Sequence, residues 1–246
     1  MIKKIIGLLF ICLVFFSNTF FKEMNLSDQQ KNQKCIYLTF DDGPLNGSQR
    51  INKVVYDEKI PITVLLVGEH GLVRPKDVAL YKENPYIQVG NHSYSHANNH
   101  YKLYYSNPTG VLKDFIKNMD TLKLDNKIAR LPGRNMWRIN ERSRNDVDSG
   151  TQAADLLSKN GFSLFGWDIE WSHDPHTAEP IGTANEIYKQ IEQKLNDNKL
   201  FTKSHIVLLC HDEMFQTSYE ESELKKLMDI LKSNKDYKFA HLKDYP

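Results

Sequence analysis

Short apolar runs with the β-branched and aromatic composition of strands recur along the chain, and polar residues follow each of them. The first run occupies residues 35–40 and ends at Asp41 and Asp42, after which Gly43-Pro44 supplies a turn. Similar runs occupy residues 86–89, 128–129, 162–167 and 206–210. Polar side chains are therefore predicted at five strand ends.

Apolar stripes at helical spacing lie between these runs. One contains Val111, Leu112, Phe115, Ile116 and Met119, and another contains Leu224, Leu227, Met228 and Leu231. Thr183 and Glu186 have the spacing of a capping box before a third stripe. We expect these stripes to face the core. Repeated strand–helix units predict a parallel α/β barrel whose loops at the carboxyl ends of the strands build the site.

The adjacent acids Asp41 and Asp42 are candidates for metal chemistry. Neighbouring side chains in a strand point to opposite faces, so both acids can serve one site only where the chain has begun to turn. Gly43-Pro44 is expected to provide that turn. Taken alone, the two acids fit a solvated turn equally well.

His92 and His96 follow the run at residues 86–89 and are four positions apart. On one helical turn such residues share a face, so their imidazoles can bind the same cation. Together with Asp42 they would form a set of two histidines and a carboxylate. Such a set leaves one coordination position open for water, as catalytic zinc sites do.

The order of these motifs resembles the polysaccharide deacetylase family, the metal-dependent carbohydrate esterases, from about residue 35 to the C-terminus. Five segments carry the resemblance: Thr39 to Gly43, His92 to His96, Arg130 to Pro132, Asp168 to Asp174 and Leu209 to Asp212. The resemblance implies a distorted parallel (β/α) barrel, an α/β fold with seven strands. It also implies one catalytic domain over residues 35–246.

The resemblance also assigns roles to the motif residues. It makes Asp41 the general base, and it makes Asp42, His92 and His96 the metal ligands. Arg130 would hold Asp41 and favour its charged form. His211 would be the general acid.

The fourth segment departs from the pattern of the family, in which an acid orients the catalytic histidine. Asp168, Glu170 and Asp174 are all candidates for that acid. If Trp167 corresponds to the strand-end tryptophan of the family, the acid lies in the following loop, and Asp174 is the first choice.

Four residues are expected to contact the substrate: Pro132, Gly133, Leu209 and Trp171. Leu209 would lie near the acetyl methyl group, and the backbone N–H of Gly133 would face the developing oxyanion. Trp171 is one of several aromatic residues near the motifs that would stack on sugar rings.

The resulting functional prediction is a metal-dependent hydrolase of non-peptide carbon–nitrogen bonds that removes acetyl groups, chiefly N-acetyl, from a polysaccharide or oligosaccharide. Its cofactor would be one divalent ion, with zinc the first choice and cobalt, nickel or manganese also suited to these ligands. Two alternatives remain: a hydrolase of small non-sugar amides on the same barrel, and a non-catalytic carbohydrate-binding protein.

Composition limits the classes of partner. The 246 residues carry 32 Lys and Arg against 31 Asp and Glu, a formal net charge of +1. Nucleic-acid binding would call for a clustered basic surface, which the sequence does not indicate. No nucleic-acid partner is therefore expected.

The N-terminus has the form of a targeting segment. Lys3 and Lys4 precede an apolar run over residues 5–16, shorter than the roughly 20 residues that span a bilayer. Residues 1–21 fit a signal peptide or an uncleaved membrane anchor, and residues 22–34 fit a polar tether. We expect an exported protein that is periplasmic, bound to the cell envelope or secreted.

Cys35 and Cys210 are the two cysteines beyond this segment. Cys35 begins one predicted strand and Cys210 ends another. In a parallel sheet they would lie at opposite ends, too far apart for the roughly 7 Å between Cα atoms that a disulfide tolerates. Both are expected to be buried free thiols.

Overall fold

The computed structural model describes residues 33–145, 149–197, 199–219 and 221–246. The predicted signal peptide or anchor and most of the predicted tether lie outside these residues. Lys34, the last residue of the predicted tether, begins the first strand. Among the described residues, no helix combines the length and the apolarity needed to cross a bilayer.

Within the part of the chain that the structure describes, ten strands form one curled sheet. Nine of them follow the order β6-β5-β7-β4-β3-β2-β1-β9-β8, and β10 pairs with β1 beside this path. The strands are β1 Lys34–Asp41, β2 Ile62–Leu66, β3 Ile87–Asn91, β4 Ile128–Ala129, β5 Trp137–Ile139, β6 Arg142–Arg144, β7 Ser163–Leu164, β8 Ile169–Glu170, β9 His205–His211 and β10 Tyr237–Phe239.

The α/β class and the distorted barrel are seen in outline, but two details of the prediction change. The predicted count of seven strands is not confirmed, and the sheet is mixed because β5 pairs antiparallel with both β6 and β7. The hairpin of β5 and β6 turns at Asn140, which has a φ of 53°. This hairpin follows β4 where the repeating pattern predicted a helix, so the strand–helix alternation fails there.

The helices surround this sheet. They are α1 Ser48–Glu58, α2 Gly68–Val73, α3 Pro75–Glu83, α4 Tyr101–Tyr105, α5 Pro108–Leu122, α6 Thr151–Lys159, α7 Ala184–Asp197 and α8 Glu223–Ser233. Short 3-10 turns occur at His96–Asn99, Asp212–Met214 and Leu242–Asp244.

The predicted core-facing stripes are confirmed in α8 and only partly in α5. Every apolar residue predicted for α8 is buried: Leu224, Leu227, Met228 and Leu231. In α5, Val111 and Phe115 are buried, but Ile116 is 43% exposed because the buried face continues through Asn118 and Leu122 instead.

The capping box predicted before α7 is also present. The backbone N–H of Thr183 donates to Oε2 of Glu186 at 2.7 Å, and the N–H of Glu186 donates back to Oγ1 of Thr183 at 3.3 Å. These two bonds satisfy backbone donors that the first turn of a helix leaves unpaired.

The register of β1 against β9 positions the candidate chemistry. The two strands pair in parallel, with Thr39 opposite Leu209 and Asp41 opposite His211. Phe40 packs into the main hydrophobic core, and side chains alternate along a strand, so Thr39 and Asp41 point to the other face. The candidate base and the candidate acid thus meet at one edge of the sheet.

The same register separates the two cysteines. Cys35 lies opposite His205 at the start of β9, whereas Cys210 lies opposite Phe40 near the ends of both strands. Both thiols are buried and free, which confirms the prediction from the sequence. Burial raises the pKa of both thiols, which disfavours the reactive thiolate.

We therefore expect both Cys35 and Cys210 to be alkylated when the protein is denatured without a reductant. Mass spectrometry of the digested protein would locate the label. A pair of peptides joined by a disulfide between these two residues would contradict the register described here.

Candidate active site

Asp41 and Asp42 diverge because the chain turns at Asp42 itself. Asp41 ends β1, while Asp42 has a φ of 70°, in the left-handed region that few non-glycine residues adopt. Nδ1 of His70 donates to the backbone oxygen of Asp42 at 2.6 Å, and the N–H of Val67 donates to the oxygen of Gly43 at 2.8 Å. The turn expected at Gly43-Pro44 therefore begins one residue earlier.

His92 and His96 come together through a left-handed turn. His92 directly follows β3, Ser93 has a φ of 66° and His96 has a φ of 48°. The helical turn predicted from their spacing is therefore wrong, since the 3-10 turn begins only at His96. Their rings nevertheless lie close together, with centroids 5.2 Å apart.

One carboxylate oxygen and two imidazole nitrogens meet at this point. Oδ1 of Asp42 lies 3.2 Å from Nε2 of His92 and 3.0 Å from Nε2 of His96. The three candidate ligand atoms all lie within 4.8 Å of one another. Oδ1 is buried, and none of the described residues forms a hydrogen bond with it. An unpartnered buried oxygen beside two imidazoles fits a divalent cation, which these three ligands would hold with a coordination position left open.

Hydrogen bonding prepares His92 for this role. Its Nδ1 lies 2.9 Å from the backbone oxygen of Arg130. Because a carbonyl only accepts, Nδ1 carries a proton and Nε2 is the atom that faces Asp42. Partners of this kind fix the tautomer and the orientation of histidines that bind metals.

The charged groups of this cluster shift the pKa values of Asp42 and His92 in opposite directions. Burial would raise the pKa of Asp42, but its contacts with His92 and His96 outweigh burial and hold that pKa well below its usual range. Burial lowers the pKa of His92, but Asp41 and Asp42 outweigh it and leave that pKa above its usual value. A cation entering the site would therefore displace a proton.

Helix α5 supports the loop that carries His96. Oδ2 of Asp114 accepts hydrogen bonds from the backbone N–H groups of Tyr94 and Ser95, both at 3.2 Å. One turn later on α5, Asn118 donates to Oδ1 of Asn91 at 2.8 Å. Asp114 and Asn118 therefore hold the two ends of the segment that delivers the histidines.

Arg130 is fully buried and holds Asp41 in place. Its Nη1 donates to Oδ1 of Asp41 at 2.8 Å and to Oγ1 of Thr39 at 2.9 Å. Its Nε and Nη2 donate to the backbone oxygens of Phe165 and Gly166 at 3.0 and 2.9 Å. The carboxylate is thus paired with a guanidinium whose other donors fix its orientation.

These groups open into a cavity of about 260 Å³. Its wall consists of Asp41, Asp42, His92, His96, Tyr101, Gly133, Trp167, Glu170, Leu209 and His211. Gly133 and Leu209, both predicted to contact substrate, lie in this wall. Pro132 does not: it is buried, and its carbonyl accepts a hydrogen bond from the hydroxyl of Tyr105 at 2.6 Å.

Trp171 does not reach the cavity either. It is fully buried, and its ring packs against Phe215 with centroids 5.4 Å apart. The expected stacking of Trp171 on a sugar is therefore wrong, because its side chain belongs to the main core. Trp167 lines the cavity in its place.

His211 lies in the cavity wall without an orienting acid. Its Nδ1 is buried and has no hydrogen-bond partner among the described residues. The nearest ring is that of His173, whose centroid is 4.8 Å away. Nε2 of His173 in turn lies 3.0 Å from Oε1 of Glu213. No motif in the sequence predicts the contact between His173 and Glu213.

The three candidate acids occupy three different environments. Asp174 accepts hydrogen bonds at 2.8 and 2.9 Å from two backbone N–H groups of its own loop, which hold its pKa below the usual range, so the structure does not bring it to His211. Asp168 accepts from two backbone N–H groups beside β9, and burial raises its pKa. Of the three, only Glu170 lines the cavity.

Comparison with known proteins agrees with this geometry. The family model for polysaccharide deacetylase matches residues 28–134. The chain is 29% identical to the peptidoglycan-N-acetylglucosamine deacetylase of Bacillus cereus, covering 74% of this chain and 61% of the relative. It is 23% identical to the chitin disaccharide deacetylase of Vibrio alginolyticus, covering 58% of this chain and 49% of the relative. The matches thus span about half to three fifths of the relatives' lengths.

Among solved structures, a CE4 esterase of Streptococcus mutans is similar over 89% of this chain and 90% of that chain, with a TM-score of 0.63 and 21% identity. At that identity the likeness establishes the fold. The sheet and its helices are therefore arranged as in that structure.

The hydrogen bonds from α5 to the loop that carries His96 lead to a prediction about metal affinity. Replacing Asp114 by Asn should weaken the binding of one zinc ion by about 10- to 100-fold, the usual effect of losing a partner that supports a ligand. His96→Ala, which removes a ligand, should abolish stoichiometric binding. Isothermal titration of each folded variant would measure both effects.

Asp120→Asn is the matched control, because Asp120 is an exposed residue of the same helix. It should bind zinc as the unchanged protein does. If His96→Ala kept full affinity, the ligand assignment would be wrong. If Asp114→Asn matched Asp120→Asn, the support from α5 would play no part in metal binding.

Proposed function

We propose that this chain, which belongs to the polysaccharide deacetylase family, is a metal-dependent hydrolase that removes acetyl groups, chiefly N-acetyl, from an acetylated polysaccharide or oligosaccharide. One observation carries the proposal. Asp41 and His211 lie opposite each other on β1 and β9, and both line the cavity that contains Asp42, His92 and His96. A proton acceptor, a proton donor and a cation site therefore share one small space.

Hydrolysis of an amide needs an activated water, stabilisation of the developing oxyanion and a proton for the leaving amine. A divalent ion held by Asp42, His92 and His96 would supply the first two by lowering the pKa of water and polarising the acetyl carbonyl. Asp41 would accept the proton of the attacking water. Its hydrogen bond from Arg130 at 2.8 Å keeps the carboxylate oriented for that step.

His211 would protonate the leaving amine. It stands across the sheet edge from Asp41, so the acceptor and the donor approach the scissile bond from neighbouring strands. Leu209 lies two residues earlier on β9 and provides an apolar contact for the acetyl methyl group in the same cavity. Gly133, with a φ of 61°, brings a loop backbone to the wall of the same cavity.

The relatives support a sugar substrate. Both named relatives act on N-acetylated sugars, one in peptidoglycan and one in a chitin disaccharide. The aromatic rings of Tyr101 and Trp167 in the cavity wall fit the flat face of a sugar ring. An extracytoplasmic location, in which residues 1–21 direct export or anchor the protein, would place the enzyme where such polymers are found.

Release of acetate tests this proposal directly. Zinc-loaded protein should release acetate from an oligomer of N-acetylglucosamine and leave the corresponding amine. His96→Ala should release none, and acetamide should be a poor substrate because it offers no sugar ring to the cavity. Efficient hydrolysis of acetamide without activity on the oligomer would instead favour a small-amide hydrolase. Binding without any release would favour a carbohydrate-binding protein.

Replacing Asp41 and replacing Asp42 should have different effects on zinc binding and on catalysis. Asp41→Asn should retain zinc and fold, while acetate release falls by about 10²- to 10⁴-fold, the usual contribution of a positioned base. Asp42→Asn should lose zinc affinity as well, because Oδ1 of Asp42 contacts both imidazoles. Isothermal titration with zinc and acetate assays at saturating zinc would separate the two. Full activity of Asp41→Asn, or equal loss of zinc in both variants, would mean that the base lies elsewhere.

A further inference from the structure

A second cavity, of about 730 Å³, adjoins the catalytic cavity. Its wall is formed by Asn99, His100, Tyr101, Lys102, Leu103, Ser106 and Arg134. Tyr101 belongs to the walls of both cavities, so one aromatic side chain lies between them. An oligosaccharide that extends from the catalytic cavity past Tyr101 would enter this second space.

Tyr101 is held by groups of the catalytic site. Its ring makes an edge contact with His96, with centroids 5.9 Å apart. It also lies against Gly133, since a Cβ atom built there would come within 3.0 Å of the ring. The guanidinium of Arg134 lies 5.7 Å from the ring centroid. These contacts hold the ring in place between the two cavities.

The second cavity carries basic side chains and no acidic one. Arg134 is already oriented, because its Nε donates to the backbone oxygen of Ser149 at 2.7 Å and its Nη1 donates to that of Gly133 at 2.7 Å. Its guanidinium also stacks 4.9 Å from the ring of Tyr105. Neither Arg134 nor Lys102 forms an ion pair within the part of the chain described by the structure. No carboxylate of the described residues therefore pairs with this positive charge.

We propose that the second cavity is a subsite for the sugar next to the deacetylated one, and that it selects a sugar bearing a carboxylate. This inference rests on the proposed function and narrows its substrate class to acidic, N-acetylated polymers. Tyr101 would support the sugar ring, and Leu103, which is 73% exposed, would cover its apolar face. Arg134 and Lys102 would pair with the carboxylate, where a pre-oriented guanidinium is the stronger partner.

The test uses two tetrasaccharides that differ only in charge. In the first, N-acetylglucosamine alternates with a carboxylate-bearing sugar; in the second, the same carboxylates are converted to neutral methylamides. Isothermal titration of the zinc-loaded protein would give the ratio of their dissociation constants. We expect the acidic form to bind about threefold to tenfold more tightly, as a few partly exposed charge pairs would produce.

Two variants and one control test whether side chains of the second cavity cause this difference in affinity. Arg134→Gln and Lys102→Gln should each bring the ratio closer to one, by loss of affinity for the acidic form. Lys238→Gln removes the same charge from an exposed position of β10, which pairs with the start of β1 at the other end of the sheet. It should leave the ratio unchanged.

Equal binding of the two tetrasaccharides by the unchanged protein would overturn the inference, and so would a ratio that neither variant alters. Acetate release measured in parallel distinguishes this failure from that of the proposed function. Release of acetate with a ratio of one would leave the deacetylase standing and remove the acidic subsite. A preserved ratio without acetate release from either compound would support the acidic subsite and contradict the deacetylase.

Discussion

The buried ion pair between Arg130 and Asp41 is the interaction on which the site depends. Burying a guanidinium and a carboxylate has a large desolvation cost, and removing one partner of such a pair typically costs about 3–5 kcal/mol. Here the remaining donors of Arg130 bond Thr39 and two backbone oxygens near β7, while its own carbonyl accepts from His92. One side chain thereby fixes the candidate base and the tautomer of a candidate ligand.

The parallel sheet supplies the rest of the arrangement. Its strands end at a common edge, so polar residues that are far apart in the sequence meet there without a long loop. Asp41 and His211 are neighbours through the β1–β9 register, and His92 follows β3, two strands away on the other side of β1. The left-handed turns at Asp42 and Ser93 then point the ligands inward. The pairing of the strands therefore sets the relative positions of the site residues.

Much of this arrangement could be predicted because strand ends carry a clear sequence signal. An apolar run followed by polar residues placed Asp41, His92 and His211 at one edge. The backbone of the His92–His96 turn could not be predicted, since side chains of α5 hold that loop in left-handed conformations. The roles predicted for Trp171 and Asp174 were wrong for a similar reason. Whether a loop side chain enters the core or bonds its own backbone depends on packing that residue spacing does not encode.

The central claim is that Asp42, His92 and His96 bind a metal ion beside an Asp41 that remains paired with Arg130. A crystal structure of the zinc-loaded protein, with anomalous diffraction data collected at the zinc edge, tests it most directly. The account predicts one anomalous peak within bonding distance of Oδ1 of Asp42 and Nε2 of both histidines, with the ion pair intact. A peak elsewhere, or an Asp41 that has left Arg130 to bind the ion, would contradict it.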